Sequence, residues 1–130
     1  MKHLELKKYL PGNDYETETC SLGRKWWYVK NLVKAAESEG LEVFDIDVAS
    51  IDLGVMPWDM KSFLHFIEHM IDIKNCSLKY PVTMAPCGWI MNGWHRVVKA
   101  FLKGEPTIKA VRFFELPKPD GLKDQEDAQD

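Results

Sequence analysis

Gly88-Trp89-Ile90-Met91-Asn92-Gly93-Trp94-His95-Arg96-Val97-Val98-Lys99-Ala100 is the stretch on which the reading of this 130-residue chain turns. Trp89-Ile90-Met91 reads as the second strand of a β-hairpin, with Tyr80 to Ala85 as the first and the turn near Gly88. Trp94 to Lys103 has helical spacing, with Trp94, Val98, Phe101 and Leu102 on its apolar side, and Gly104 stops it. Between strand and helix, Asn92 is a good N-cap and Gly93 lets the backbone approach a ligand closely. The first-turn amides then stand free beside the positive end of the helix dipole, which suits an anion. His95 and Arg96 add donors in the same turn, Arg96 as a planar fork matched to phosphate. Lys99 lies on their side of the helix. A cationic helix face that is merely solvated is the plainer alternative.

Outward from this turn the pattern is that of a small α+β domain. Residues 11 to 24 are polar and turn-rich and read as a loop. Lys25 to Glu39 predicts a helix, with Trp26, Val29, Leu32, Val33 and Ala36 at spacings of three and four, and Gly40 ends it. Leu41 to Val48 alternates apolar and polar residues, as a strand does. Trp58 to Ile73 predicts a second helix with Phe63, Leu64, Ile67, Met70 and Ile71 buried. Thr107 to Phe113, rich in β-branched and aromatic residues, predicts the last strand. The expected order is helix, strand, helix, hairpin, helix, strand. One domain spans residues 1–117, and an acidic, disordered tail follows from 118 to 130.

Composition narrows the function classes. The net charge is -3, and residues 118–130 hold five acids against Lys118 and Lys123, itself a net of -3. The body is therefore formally neutral, without the broad basic footprint of a protein that grips DNA by its phosphates. A local site for one small anion is compatible with that balance. No apolar run approaches the roughly 20 residues that span a bilayer, and the N-terminus does not read as a secretory signal. A cytoplasmic protein without membrane partners is expected. Cys20, Cys76 and Cys87 have no CxxC spacing, and free thiols are expected.

The central run, followed by Gly104, Ile108 and Val111-Arg112-Phe113, resembles the ParB/sulfiredoxin-like (ParB-like nuclease domain) superfamily. It is most similar to small stand-alone bacterial and phage members with a D/N-G-x-H-R-x-x-K-A motif. Tyr80-Pro81-Val82 and Glu68-His69-Met70 fit the same subgroup, and the resemblance spans about residues 41 to 117. It implies a small mixed sheet packed against helices and a nucleotide or phosphorylated small molecule at the turn. Asn92, Gly93, Trp94, His95, Arg96, Lys99 and His69 would bind that ligand, and Glu68 and His95 would be catalytic. ATP, ADP or CTP with Mg²⁺ is the implied cofactor, and phosphoryl transfer or nucleotide hydrolysis the implied reaction, with no metal-ligating residues in the set.

The chain departs from the family at four positions, Asn92, Trp94, His95 and Lys99, the last standing where cytidine-triphosphate-binding ParB proteins carry alanine. Trp94 stands where sulfiredoxins carry the catalytic cysteine, so sulfiredoxin chemistry is not expected. His95 replaces the first arginine of the cytidine-triphosphate-binding ParB pattern. Asn92 replaces an aspartate, and an amide is neither a general base nor a charged metal ligand. The alternative reading is a non-catalytic interaction module acting on DNA or a host protein. Separately, His65-Phe66-Ile67-Glu68-His69 has the H-x-x-E-H spacing of inverted zinc peptidases, with two histidines four apart on one helix face, but no third ligand stands out in sequence, so a solvated polar face, or a face lining the same pocket as His95, is the expected reading ahead of zinc.

Overall fold

The computed structural model describes residues 17–124. Among these residues, seven strands and three helices run in the order β1 (Thr19–Leu22), β2 (Lys25–Tyr28), α1 (Val29–Ser38), β3 (Phe44–Asp47), a 3₁₀ turn (Val48–Ser50), α2 (Phe63–Asn75), β4 (Val82–Met84), β5 (Ile90–Asn92), α3 (Trp94–Lys103), β6 (Thr107–Arg112) and β7 (Gly121–Leu122). The α+β class is as expected, but two sheets are present. A four-stranded mixed sheet has the order β3-β6-β4-β5, with β4 parallel to β6 and the other pairs antiparallel. A three-stranded sheet, β1-β2-β7, lies apart from it in pairing.

The mixed sheet is covered on both faces, because side chains alternate along each strand. Val82, Ile90, Ile108 and Ala110 pack with Val97 and Ala100 of α3 and with Val48. Met91, Val111, Phe113 and Ala85 pack with Trp27, Leu32 and Ala36. Neighbours on β5, Ile90 and Met91, thus serve opposite layers. The connection β5–α3–β6 carries the chain across the sheet and returns it parallel to β4.

Several expectations are corrected. Lys25 to Tyr28 is a strand, not the first turn of a helix. Its aromatic residues suit a pleated surface, and it pairs on both sides, with β1 and β7. Trp27, not Trp26, is the buried tryptophan. The segment from 11 to 24, read as a loop, contains β1. Helix α1 begins at Val29, and Gly40 ends it at φ +63° as expected. Helix α2 begins at Phe63, five residues later than predicted, because Ser62 is its N-cap and accepts a hydrogen bond from the His65 amide at 3.1 Å. None of its residues is fully buried, and Phe63 is 76% exposed. The buried side of α3 is Val97 and Ala100, whereas Phe101 and Leu102 face outward.

Residues 118–124 of the tail are attached to the body. Trp27 Nε1 donates to the Pro117 carbonyl at 3.0 Å, and β7 pairs with β2. The expected disorder of residues 118–124 is therefore corrected; positions 1–16 and 125–130 lie outside the described residues. No helix among the described residues is long and apolar enough to cross a membrane.

Candidate functional site

The turn after β5 is built on Gly93. Its φ is +111°, a conformation open to glycine, and a Cβ there would meet Val82 Cγ1 at 2.6 Å. Glycine thus lets the start of α3 sit directly on β4. Gly93, not Asn92, is the N-cap residue, and its carbonyl receives the Arg96 and Val97 amides at 2.9 and 3.1 Å. Asn92 ends β5, paired with Thr83, and makes no side-chain cap.

The cations predicted to gather around one anion are engaged with backbone carbonyls instead. Arg96 Nη1 donates to the Pro81 carbonyl at 3.0 Å. Lys99 Nζ donates to the carbonyls of Lys74 and Cys76 at 2.9 and 2.5 Å, at the C-terminal end of α2. A cation there complements the negative end of the α2 dipole. Much of the basic face of α3 therefore acts as a clamp on α2 and on the segment before β4. Trp94 turns toward the core, where its Nε1 donates to the Ile90 carbonyl at 2.8 Å and its ring lies 5.5 Å from that of Trp89.

His95 meets a different group of residues. Its Nε2 lies 2.8 Å from His69 Nδ1 and 3.9 Å from Asp72 Oδ2. His69 and Asp72 are three apart on α2 and so share a face. One ligand atom from each of His69, Asp72 and His95 falls within 4.8 Å of the other two, a potential metal-coordinating triad. The indole of Trp58 stacks on both imidazoles, with centroids 4.3 Å from His69 and 4.7 Å from His95. His69 Nε2 is buried without a hydrogen-bond partner, so that ring's polar contact runs through Nδ1, toward His95.

The electrostatics keep the pair neutral. Burial, then His69, then Arg96 push His95 down to about 4, and burial with nearby His65 lowers His69. Asp72 acts in the opposite sense. At 3.9 Å, and with its side chain 31% exposed, its attraction is too weak to offset desolvation. At the 2.8 Å contact between the neutral rings one nitrogen donates its proton and the other accepts through its lone pair; neutral imidazole is the state in which histidine binds metals.

Two of the predicted residues, His69 and His95, are thus brought together. Glu68 is half-buried on α2 but lies outside the triad; the carboxylate in this cluster is Asp72. Asp72 and Trp58 escaped the reading of the sequence. The i, i+3 spacing of His69 and Asp72 was a usable signal for the first. Trp58 carried none, because it lies in the irregular segment before α2 rather than on the helix predicted there.

Clefts among the described residues include two that the triad does not line. The larger, about 530 Å³, is lined by Leu41, Phe44, Pro86 and Arg112 among others, and the smaller, about 200 Å³, by Ser50, Asp52, Trp89 and Trp94 among others. Cys20, Cys76 and Cys87 are free thiols, and burial pushes Cys20 up to about 12. Comparison of the chain with protein-family models, with curated proteins and with solved structures returns no match.

Proposed function

We propose that the chain binds a nucleotide or another phosphorylated small molecule at the start of α3, as a ParB/sulfiredoxin-like domain. The observation that supports this most is the meeting of His95, in the first turn of α3, with His69 and Asp72. Phosphate oxygens would be received by the amides of Trp94 and His95, ahead of the Arg96 and Val97 amides that the Gly93 carbonyl engages, with the positive end of the helix dipole behind them. ATP, ADP or CTP would bring Mg²⁺ on its phosphates, and Asp72 is the nearby carboxylate such an ion could share. In hydrolysis a water oxygen bonds to the terminal phosphorus, the bridging P–O bond breaks, and the water's proton passes through a neutral His95 to solvent.

Arg96→Ala is a poor test of this reading, since Arg96 supports the Pro81 carbonyl. The useful measurement is calorimetric titration with ATP, ADP, CTP and GTP, with and without Mg²⁺, on the wild-type chain and on His95→Ala. Saturable binding that His95→Ala weakens is expected. Absence of binding, or equal binding to folded His95→Ala, would overturn the proposal.

A second reading, a non-catalytic interaction module, is favoured by one observation. Helix α2 leaves Phe63, Leu64, Phe66 and Met70 exposed on a single element, and exposed apolar area of this kind marks contact surfaces. Turnover of any nucleotide by the pure chain, abolished in His95→Ala, would count against it. DNA binding with a steep salt dependence would support its DNA version.

A further inference from the structure

We infer that His69, Asp72 and His95 form a binding site for a divalent transition-metal ion of the zinc class. This goes beyond the nucleotide reading and does not depend on it, because it rests on the three side chains alone.

The first argument is distance. Zinc bonds to nitrogen and oxygen are about 2.0–2.2 Å, which sets tetrahedral ligand atoms about 3.3 Å apart. The His69 Nδ1 to His95 Nε2 separation is 2.8 Å, and the His95 Nε2 to Asp72 Oδ2 separation is 3.9 Å. Each must change by about half an ångström to meet tetrahedral spacing, within the reach of a small χ rotation. The third pair, His69 and Asp72, lies within 4.8 Å.

The second argument is support. His69 and Asp72 project from one face of α2, and His95 projects from the start of α3. The two helices are tied by Lys99, whose ammonium holds the carbonyls of Lys74 and Cys76. Trp58 lies against both imidazoles, with interplanar angles of 23° and 18°, and so constrains their rings together. An apolar wall beside ligating histidines limits water access and steadies the donors.

The third argument is donor chemistry. Two imidazoles and one carboxylate suit zinc, cobalt, nickel or iron, whereas magnesium and calcium take oxygen donors. Three protein ligands leave a coordination position for water or a substrate oxygen, the arrangement of catalytic rather than structural zinc sites. With Arg96 and Lys99 engaged by carbonyls, such an ion would supply local positive charge beside the start of α3.

One competing arrangement is on the same helix. His65 and His69, four residues apart, have ring centroids 4.7 Å apart and could chelate without His95. His65 Nδ1, however, accepts a hydrogen bond from the Lys61 amide at 3.1 Å. That contact commits one of its nitrogens within the segment leading into α2.

The test uses the full chain, stripped with a chelator, dialysed and titrated separately with Zn²⁺ and Mg²⁺ by calorimetry, with no nucleotide present. Co²⁺ serves as a spectroscopic probe, since its visible absorption reports coordination and its binding should quench Trp58 fluorescence. One Zn²⁺ per chain, bound at least about tenfold tighter than Mg²⁺, is expected. His95→Ala and Asp72→Asn should each weaken Zn²⁺ by about tenfold or more. His65→Ala and Cys87→Ser should leave it unchanged. Asp72→Asn is nearly isosteric, so it keeps the test decisive if His95→Ala fails to fold by circular dichroism. Undetectable Zn²⁺ binding, binding unaffected in folded Asp72→Asn, or binding lost in His65→Ala would each overturn the assignment. Zinc binding without nucleotide binding would leave this inference standing and remove the nucleotide reading; nucleotide binding alone would do the reverse.

Discussion

Gly93 and His95 are two residues apart and constrain the site in different ways. At Gly93 both conformation and space exclude a side chain, since φ is +111° and Val82 occupies the place a Cβ would take. Gly93→Ala should therefore cost about 2–4 kcal/mol, from backbone strain together with overpacking. A urea midpoint equal to wild type would refute that account. At His95 the effect depends on pH. Its folded pKa of about 4 is below the ordinary 6.5, because burial, His69 and Arg96 all oppose the charge, while Asp72 is too far to reverse them. Above 6.5 neither the folded nor the unfolded form binds a proton there. Below 6.5 the unfolded chain takes up a proton that the folded one refuses, so stability falls until the folded form also protonates near 4. In chelator-treated protein this loss should reach about 3 kcal/mol. His95→Gln should lose less between pH 7 and 4 than wild type, and parallel losses in the two proteins would contradict the assignment. Asp72 shows why such a site is only half legible in sequence. Its spacing from His69 is visible, but its approach to His95 depends on how α2 and α3 pack.

At the scale of elements, α3 and its preceding strand were legible because their pattern is local: a short apolar run, a glycine that must be a glycine, then helical spacing to Gly104. The segment from Lys25 to Tyr28 was not, since Trp-Trp-Tyr fits either a helix stripe or a strand. What decides it is pairing with Gly121 and Leu122, more than ninety residues away. Helix α2 misled in another way. Its apolar spacing is real, yet no residue on it is fully buried, so pattern there reports a face without reporting a cover. The helix should accordingly depend on polar attachment. Lys99→Met removes the ammonium from the Lys74 and Cys76 carbonyls and should cost about 1–2 kcal/mol, discounted because the contact is partly exposed. Hydrogen exchange should quicken in the last turns of α2 while the centre of α3 keeps its protection. Uniform acceleration, or none, would argue that α2 is held by its half-buried apolar side chains instead.

Over the whole molecule, the segment after β6 closes the structure. Tyr28 is the N-cap residue of α1 and supplies no side-chain cap, but its amide donates to Asp120 Oδ2 at 2.8 Å, and Asn31 Nδ2 donates to Oδ1 at 3.0 Å. A carboxylate beside the N-terminus of α1 is favourable by charge as well as by hydrogen bonding. Gly121 lies against the Trp26 indole, so close that a Cβ would stand 2.5 Å from the ring. Two long-range attachments thus join the end of the described chain to its beginning, with the mixed sheet between them. Asp120→Ala should cost about 1 kcal/mol, the scale of a lost helix cap. A chain ending at Leu116 should lose more, because the Trp27 indole also forfeits its acceptor at Pro117 and β2 forfeits one of its partners. Thermal melts followed by tryptophan fluorescence would order the three proteins: full chain highest, Asp120→Ala next, truncated chain lowest. Since His95 and Asp72 lie on α3 and α2, away from these attachments, Asp120→Ala should also bind Zn²⁺ as the full chain does. Coincident melting midpoints would mean that residues 117–124 ride on the fold without securing it.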